Sequence, residues 1–134
     1  MIFESNSSLT VIADNAFSYA TSLTALTIPS SVTRLGLFSF SSCSSLSSVI
    51  FEPDSSLTVI ENYAFQSATS LTGLTIPASI TRLGSNSFSS CSSLSSVIFE
   101  SNSSLTSIDN GVFHYATSLI GLTIPASVKR LGIV

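Results

Sequence analysis

The chain repeats itself every 48 residues, almost word for word. The stretch FEPDSSLTVIENYAFQSATSLTGLTIPASITRLGSNSFSSCSSLSSVI begins at Phe51, restarts at Phe99, and has an earlier copy from Phe3. Repetition on this scale dictates a solenoid, because each unit can bury its apolar side only against its neighbours.

The 48-residue unit is itself two shorter units. Phe17, Phe40, Phe65, Phe88 and Phe113 occupy one position, with spacings alternating between 23 and 25. Leu23, Leu46, Leu71, Leu94 and Leu119 keep the same alternation, as do Leu26, Val49, Leu74, Val97 and Leu122. Ile28 to Leu35 is seven residues, whereas Phe51 to Ile60 is nine. The length change therefore sits in one connection, where insertions are best tolerated.

Each short unit has three parts. The first is an apolar run, LTI at Leu26, Leu74 and Leu122 and VIF at Val49 and Val97. Its alternation and β-branched content predict a strand. Pro29, Pro77 and Pro125 close it in alternate copies, since proline cannot donate to a ladder. The second part is another alternating segment: LTVI at Leu9 and Leu57, VTRL at Val32, ITRL at Ile80, LTSI at Leu105 and VKRL at Val128. The third part, DNAFSYATSL at Asp14 and its equivalents, predicts a two-turn helix with Phe17 and its counterparts inward. Asp14, Asn62 and Asn110 are the expected N-caps. The expected architecture is an α/β repeat solenoid, with short parallel strands in narrow sheets and a short helix in each 23–25-residue turn. A single array spans 1–134, in turns 1–25, 26–48, 49–73, 74–96, 97–121 and 122–134, the outer two partial. Neither end resembles the polar cap a solenoid normally carries. The array therefore reads as a fragment of a longer one, whose apolar ends and strand edges would permit end-to-end self-association.

Composition excludes several classes. The chain is 44% hydrophobic and 8% charged, with net charge −3 and only four basic residues, so it has no electrostatic footprint for nucleic acid. No apolar run reaches membrane-spanning length. MIFESNSSLT has neither the basic start nor the apolar core of a signal peptide. About a quarter of the chain is serine, yet the aliphatic and Phe positions recur strictly, so SSCSSLSS reads as a structured element and not a linker.

One motif resembles a known family. Ile28, Pro29, Val32, Leu35, Gly36, Phe40, Cys43 and Leu46 match the signature of BspA-like leucine-rich repeats, found in surface proteins of bacteria and protozoa. Ile76, Pro77, Ile80, Leu83, Gly84, Phe88, Cys91 and Leu94 repeat it. The intervening copies put Glu52 and Glu100 at the proline position, and Ala20, Ala68 and Ala116 at the cysteine. The resemblance covers the whole chain. It implies a leucine-rich-repeat-like solenoid at the cell surface or secreted, with a binding or adhesion role.

Cys43 and Cys91 are 48 residues apart, or two coils. Stacked strands put their Cα atoms about 10 Å apart, beyond the roughly 7 Å reach of a disulfide. Two free, buried thiols are expected. Catalysis has little support, and no cofactor or metal site is expected: there is no Gly-rich phosphate loop, Cys-x-x-Cys or His-x-x-x-His. The one histidine, His114, shares its position with Ser18, Ser41, Gln66 and Ser89, which reads as an exposed helix site. Asp109, with Glu61 and Asp14 near the same position, reads as a solvated acid at a helix start. Gly36, Gly84 and Gly132 follow the second strand, where the turn needs positive φ or close approach.

Surface chemistry comes in ladders. Arg34, Arg82 and Arg130 recur at 48, with Val11, Val59 and Ser107 between them. Glu4, Glu52 and Glu100 follow the first strand. Thr27, Ile50, Thr75, Ile98 and Thr123 occupy the centre of the first strand, and alternation points them outward. The arginines and the Thr/Ile strip form the candidate interaction surface. Duplication alone would leave the same ladders. The sequons at Asn6 and Asn102 lie in the longer connection. The leading function is a non-catalytic module binding a host, matrix or neighbouring-cell protein through a sheet face. The alternatives are an intracellular scaffold, which free cysteines favour, and a glycan- or ice-binding surface, which Ile50 and Ile98 interrupt.

Overall fold

The computed structural model describes residues 2–4 and 6–133. Ten short strands follow the repeat. The second segments form β1 (Val11–Ile12), β3 (Arg34–Leu35), β5 (Val59–Ile60), β7 (Arg82–Leu83), β9 (Ser107–Ile108) and β10 (Arg130–Leu131). The first segments form β2 (Ala25–Ile28), β4 (Ser48–Phe51), β6 (Gly73–Ile76) and β8 (Ser96–Phe99). All pairing is parallel and in register, so Ile12, Leu35, Ile60, Leu83 and Ile108 make one inward column. That register follows from the period, because a one-residue slip would turn the whole apolar set outward.

The two strand sets differ. The second strands form one continuous sheet in the order β1-β3-β5-β7-β9-β10. The first strands form two separate pairs, β2-β4 and β6-β8. Each pair spans a 23-residue step, as in Leu26 beside Val49. The 25-residue step between β4 and β6 is a seam. The segment 122–124 lies outside the strands, as do Ile2 and Phe3; Met1 is outside the described residues.

The expected helix in each coil is absent: the described residues form a β-solenoid of about five coils with no helix. Tight turns replace it. In the first coil, Ala16, Ser18 and Ala20 donate to Ala13, Asn15 and Phe17, three residues back. The alternate amides, Asn15, Phe17 and Tyr19, donate to Leu37, Ser39 and Ser41 of the next coil. Asn15 and Tyr19 have φ of 57° and 60°, and the same two positions are left-handed in the four coils that follow. A helix needs each amide for its own carbonyl four residues back. Here every second amide is taken by the neighbouring coil, and a left-handed residue every fourth position breaks the helical path. Even Phe38 takes φ of 52°, a genuine outlier for a bulky residue, with its ring stacked 4.7 Å from Tyr63.

The expected N-caps therefore have another role. Oδ1 of Asp14 and of Asn62 each accepts an N–H from the next coil, of Leu37 and Ser85, both at 2.9 Å. Asn110 accepts that of Ile133 at 3.2 Å. Close approach is what the neighbouring glycines allow. A Cβ on Gly84 would lie 2.6 Å from the backbone nitrogen of Asn62.

The interior is built by stacking. Phe17, Phe40, Phe65, Phe88 and Phe113 form a continuous ring ladder with centroid spacings of 5.2, 5.2, 5.3 and 6.0 Å. Cys43 and Cys91 are free and buried, and their thiols donate to the carbonyls of Phe17 and Phe65. Burial pushes the Cys91 thiol up to about 12 and raises that of Cys43, so both behave as small hydrophobes. Beside the ladder, the hydroxyls of Ser39 and Ser87 are fully buried and lack hydrogen-bond partners among the described residues.

Candidate interaction surface

Every second side chain of the continuous sheet faces out, and the arginines there are engaged. Arg34 sits between Asp14 and Glu61, at 3.2 Å from each. Its guanidinium is held above the usual range, first by the hydrogen bond to Glu61. Arg82 bridges Glu61 at 3.3 Å and Asp109 at 2.7 Å, and also donates to Asn62. Arg130 closes the series on Asp109 at 3.5 Å and remains 71% exposed. Asp109 is not the solvated acid the sequence suggested: it is buried, and it also accepts the Ser107 hydroxyl at 2.8 Å. The ladder Asp14–Arg34–Glu61–Arg82–Asp109–Arg130 thus stitches successive coils together. Single exposed pairs contribute only about 0.2–1 kcal/mol; a chain sharing Glu61 and Asp109 holds register across several coils.

The other candidate strip remains open. On the first strands, Ile50 is 57% and Ile98 58% exposed, Thr75 and Thr123 are exposed, and Thr27 is half-buried. The sequence did not foresee the grooves beside them. At the β4/β6 seam lies a trough of about 330 Å³, walled by Ile50, Phe51, Thr75 and Ile98. A second, of about 510 Å³, lies between β8 and the segment 123–127, bordered by Ile98, Phe99, Thr123 and Pro125. Glu100 lines both. Phe51 and Phe99 are the missed contributors; each lies where the first strands part at a 25-residue step, although the second strands stay paired across that step.

The glutamates after the first strands are pinned by backbone. Oε2 of Glu52 accepts the N–H of Ser30, and that of Glu100 the N–H of Ala78, both at 2.9 Å. His114 is exposed, its ring 3.9 Å from that of Tyr115. Its counterparts Ser41 and Ser89 are buried, so the column is not the uniformly exposed helix site expected. Asn6 and Asn102 occupy exposed left-handed turns.

Short in-register parallel strands, an inward Leu/Ile/Phe ladder and a turn ladder in each coil define a leucine-rich-repeat solenoid. Six copies of the BspA type leucine rich repeat region match residues 10–133, and the chain belongs to that family. The fold is shared with the pneumococcal vaccine antigen PcpA at TM-score 0.81 and 32% identity, over 92% of this chain and 32% of that one. It is shared with the Treponema protein TpLRR (T. pallidum) at TM-score 0.63 and 29% identity, over 81% of this chain and 56% of that one. A leucine rich cell surface protein from Faecalibacterium prausnitzii matches at TM-score 0.62 and 29% identity, over 92% of this chain and 39% of that one. The chain thus spans between a third and just over half the length of these proteins. A search of curated proteins returns no match.

Proposed function

We propose that this chain is a non-catalytic module that binds a partner protein at a cell surface, through the face formed by its first strands. The observation that carries this reading is the contrast in engagement. Arg34 and Arg82 are committed to ion pairs within the array, whereas Ile50 and Ile98 stand more than half exposed beside two troughs. Covering the exposed part of each isoleucine contributes about 1 kcal/mol, and the flat β-face lets several such contacts add. Similar solved proteins are described as a vaccine antigen and a leucine rich cell surface protein, which supports a surface location. A host, matrix or neighbouring-cell protein is the partner this reading calls for.

The test is binding of the folded chain to extracellular-matrix proteins and intact cells, beside Ile50→Ser/Ile98→Ser and Arg34→Ser/Arg82→Ser/Arg130→Ser variants. Saturable binding lost in the isoleucine variant and retained in the arginine variant is expected. Binding indifferent to Ile50 and Ile98 would remove this face from consideration.

A further inference from the structure

The chain has seven acidic and four basic residues. Asp14, Glu61 and Asp109 pair with Arg34, Arg82 and Arg130, and that ladder sums to zero. The net charge of −3 is therefore the four remaining acids, Glu4, Glu52, Asp54 and Glu100, against Lys129 alone. All four acids lie in the longer connection between a first and a second segment of the repeat, and among the described residues none of them forms an ion pair. The molecule's uncompensated negative charge thus borders the face with the exposed isoleucines and the troughs.

Resting on the binding-face reading above, we propose that the partner is a protein segment that places lysine or arginine beside β-branched or aliphatic residues, the apolar side chains entering the troughs and the cations meeting Glu52 and Glu100. Three features fit this occupant. Each of these carboxylates is held by one backbone N–H through a single oxygen, which leaves the other oxygen for a partner and lowers the entropy lost on binding. Glu52 and Glu100 are two coils apart, or about 10 Å, roughly three residues of extended chain. This distance prevents them from sharing one metal ion, and it suits separate side chains on an extended segment. Between them the face is low. A Cβ on Gly73, the first residue of β6, would meet only the Ser96 carbonyl, at 3.8 Å. The fold does not require glycine there, and a strand glycine without a packing reason marks room for an approaching backbone. Cationic groups on the partner would speed encounter and fix register more than they would add affinity.

The experiment titrates the folded chain with a short peptide of alternating valine and lysine, and with its valine and glutamate counterpart, at low and high salt. The lysine peptide should bind and the glutamate peptide should not. High salt should weaken the complex, and Glu52→Gln/Glu100→Gln should weaken it about three- to tenfold, as two half-exposed charge pairs would. Glutamine keeps the acceptor for Ser30 and Ala78, so folding is preserved. If the glutamate peptide bound as well, if neither peptide bound, or if the glutamine variant bound unchanged, the cationic partner would be refuted. The Ile50→Ser/Ile98→Ser variant separates the two readings. Loss of binding there without an effect of the glutamines would keep the face and discard the cationic partner. Indifference to both changes would discard both.

Discussion

The first-strand face and the second-strand sheet are made by the same repeats, yet one is open and the other closed. The second strands run unbroken through six coils, and their outward arginines are tied to acids of adjacent coils. The first strands pair in twos, part at each 25-residue step, and leave isoleucines and troughs open and their bordering carboxylates without ion pairs among the described residues. Repetition supplies both surfaces; the second strands pair across every step, whereas the first strands pair only across the 23-residue ones. A side closed by its own residues holds the solenoid together, and a side left open is available to a partner.

The largest break in this picture should come from what both faces share. Phe65 is fully buried between Phe40 and Phe88. Phe65→Ala should cost about 3–5 kcal/mol by chemical denaturation, against almost nothing for Ile50→Ser. Equal losses would mean that the open face also carries the fold. Glycines sharpen the contrast next. A methyl group on Gly84 collides with the neighbouring backbone, whereas one on Gly73 makes only an ordinary 3.8 Å contact with the Ser96 carbonyl. Gly84→Ala should lose about 1–3 kcal/mol and Gly73→Ala should be neutral in the same assay. Third, Asp109 is buried under two arginines that are themselves partly solvated, so Asp109→Asn should destabilise by about 1–2 kcal/mol. Glu52→Gln on the open face should leave the melting temperature unchanged; a comparable drop would show that the acidic border is structural. The smallest effect is a gain. Ser39 and Ser87 bury unpaired hydroxyls where other coils place Ala16 and Ala64, so each Ser→Ala change should stabilise by about 1 kcal/mol. A loss would reveal a hidden partner for the hydroxyl.

Much of the fold was legible because the repeat does the aligning. The columns headed by Phe17, Leu23 and Leu26 identify the inward positions, and the 23/25 alternation locates the variable connection. The Thr/Ile strip was likewise legible from alternation. The turn ladder was not. Asp14-Asn15 reads as a helix start when only local amides are considered, and Phe38 and Tyr63 conceal the left-handed positions that Asn15, Asn86 and Gly111 hint at. Nor was the engagement of the arginines: Arg34 meets Glu61 across 27 residues, a partnership visible only when coils are superposed. The arginines looked as unattached as Ile50, and each is ion-paired within the array.

The sequence by itself determined the period, the inward columns and which connections are long, since each is a statement about spacing along one chain. The tertiary structure alone decided turns over helix, engagement over availability for the charges, and troughs at the seams. Each of these depends on what an adjacent coil does with a backbone amide, a carboxylate or a strand edge. A residue's local neighbours do not encode that choice until the coils are stacked.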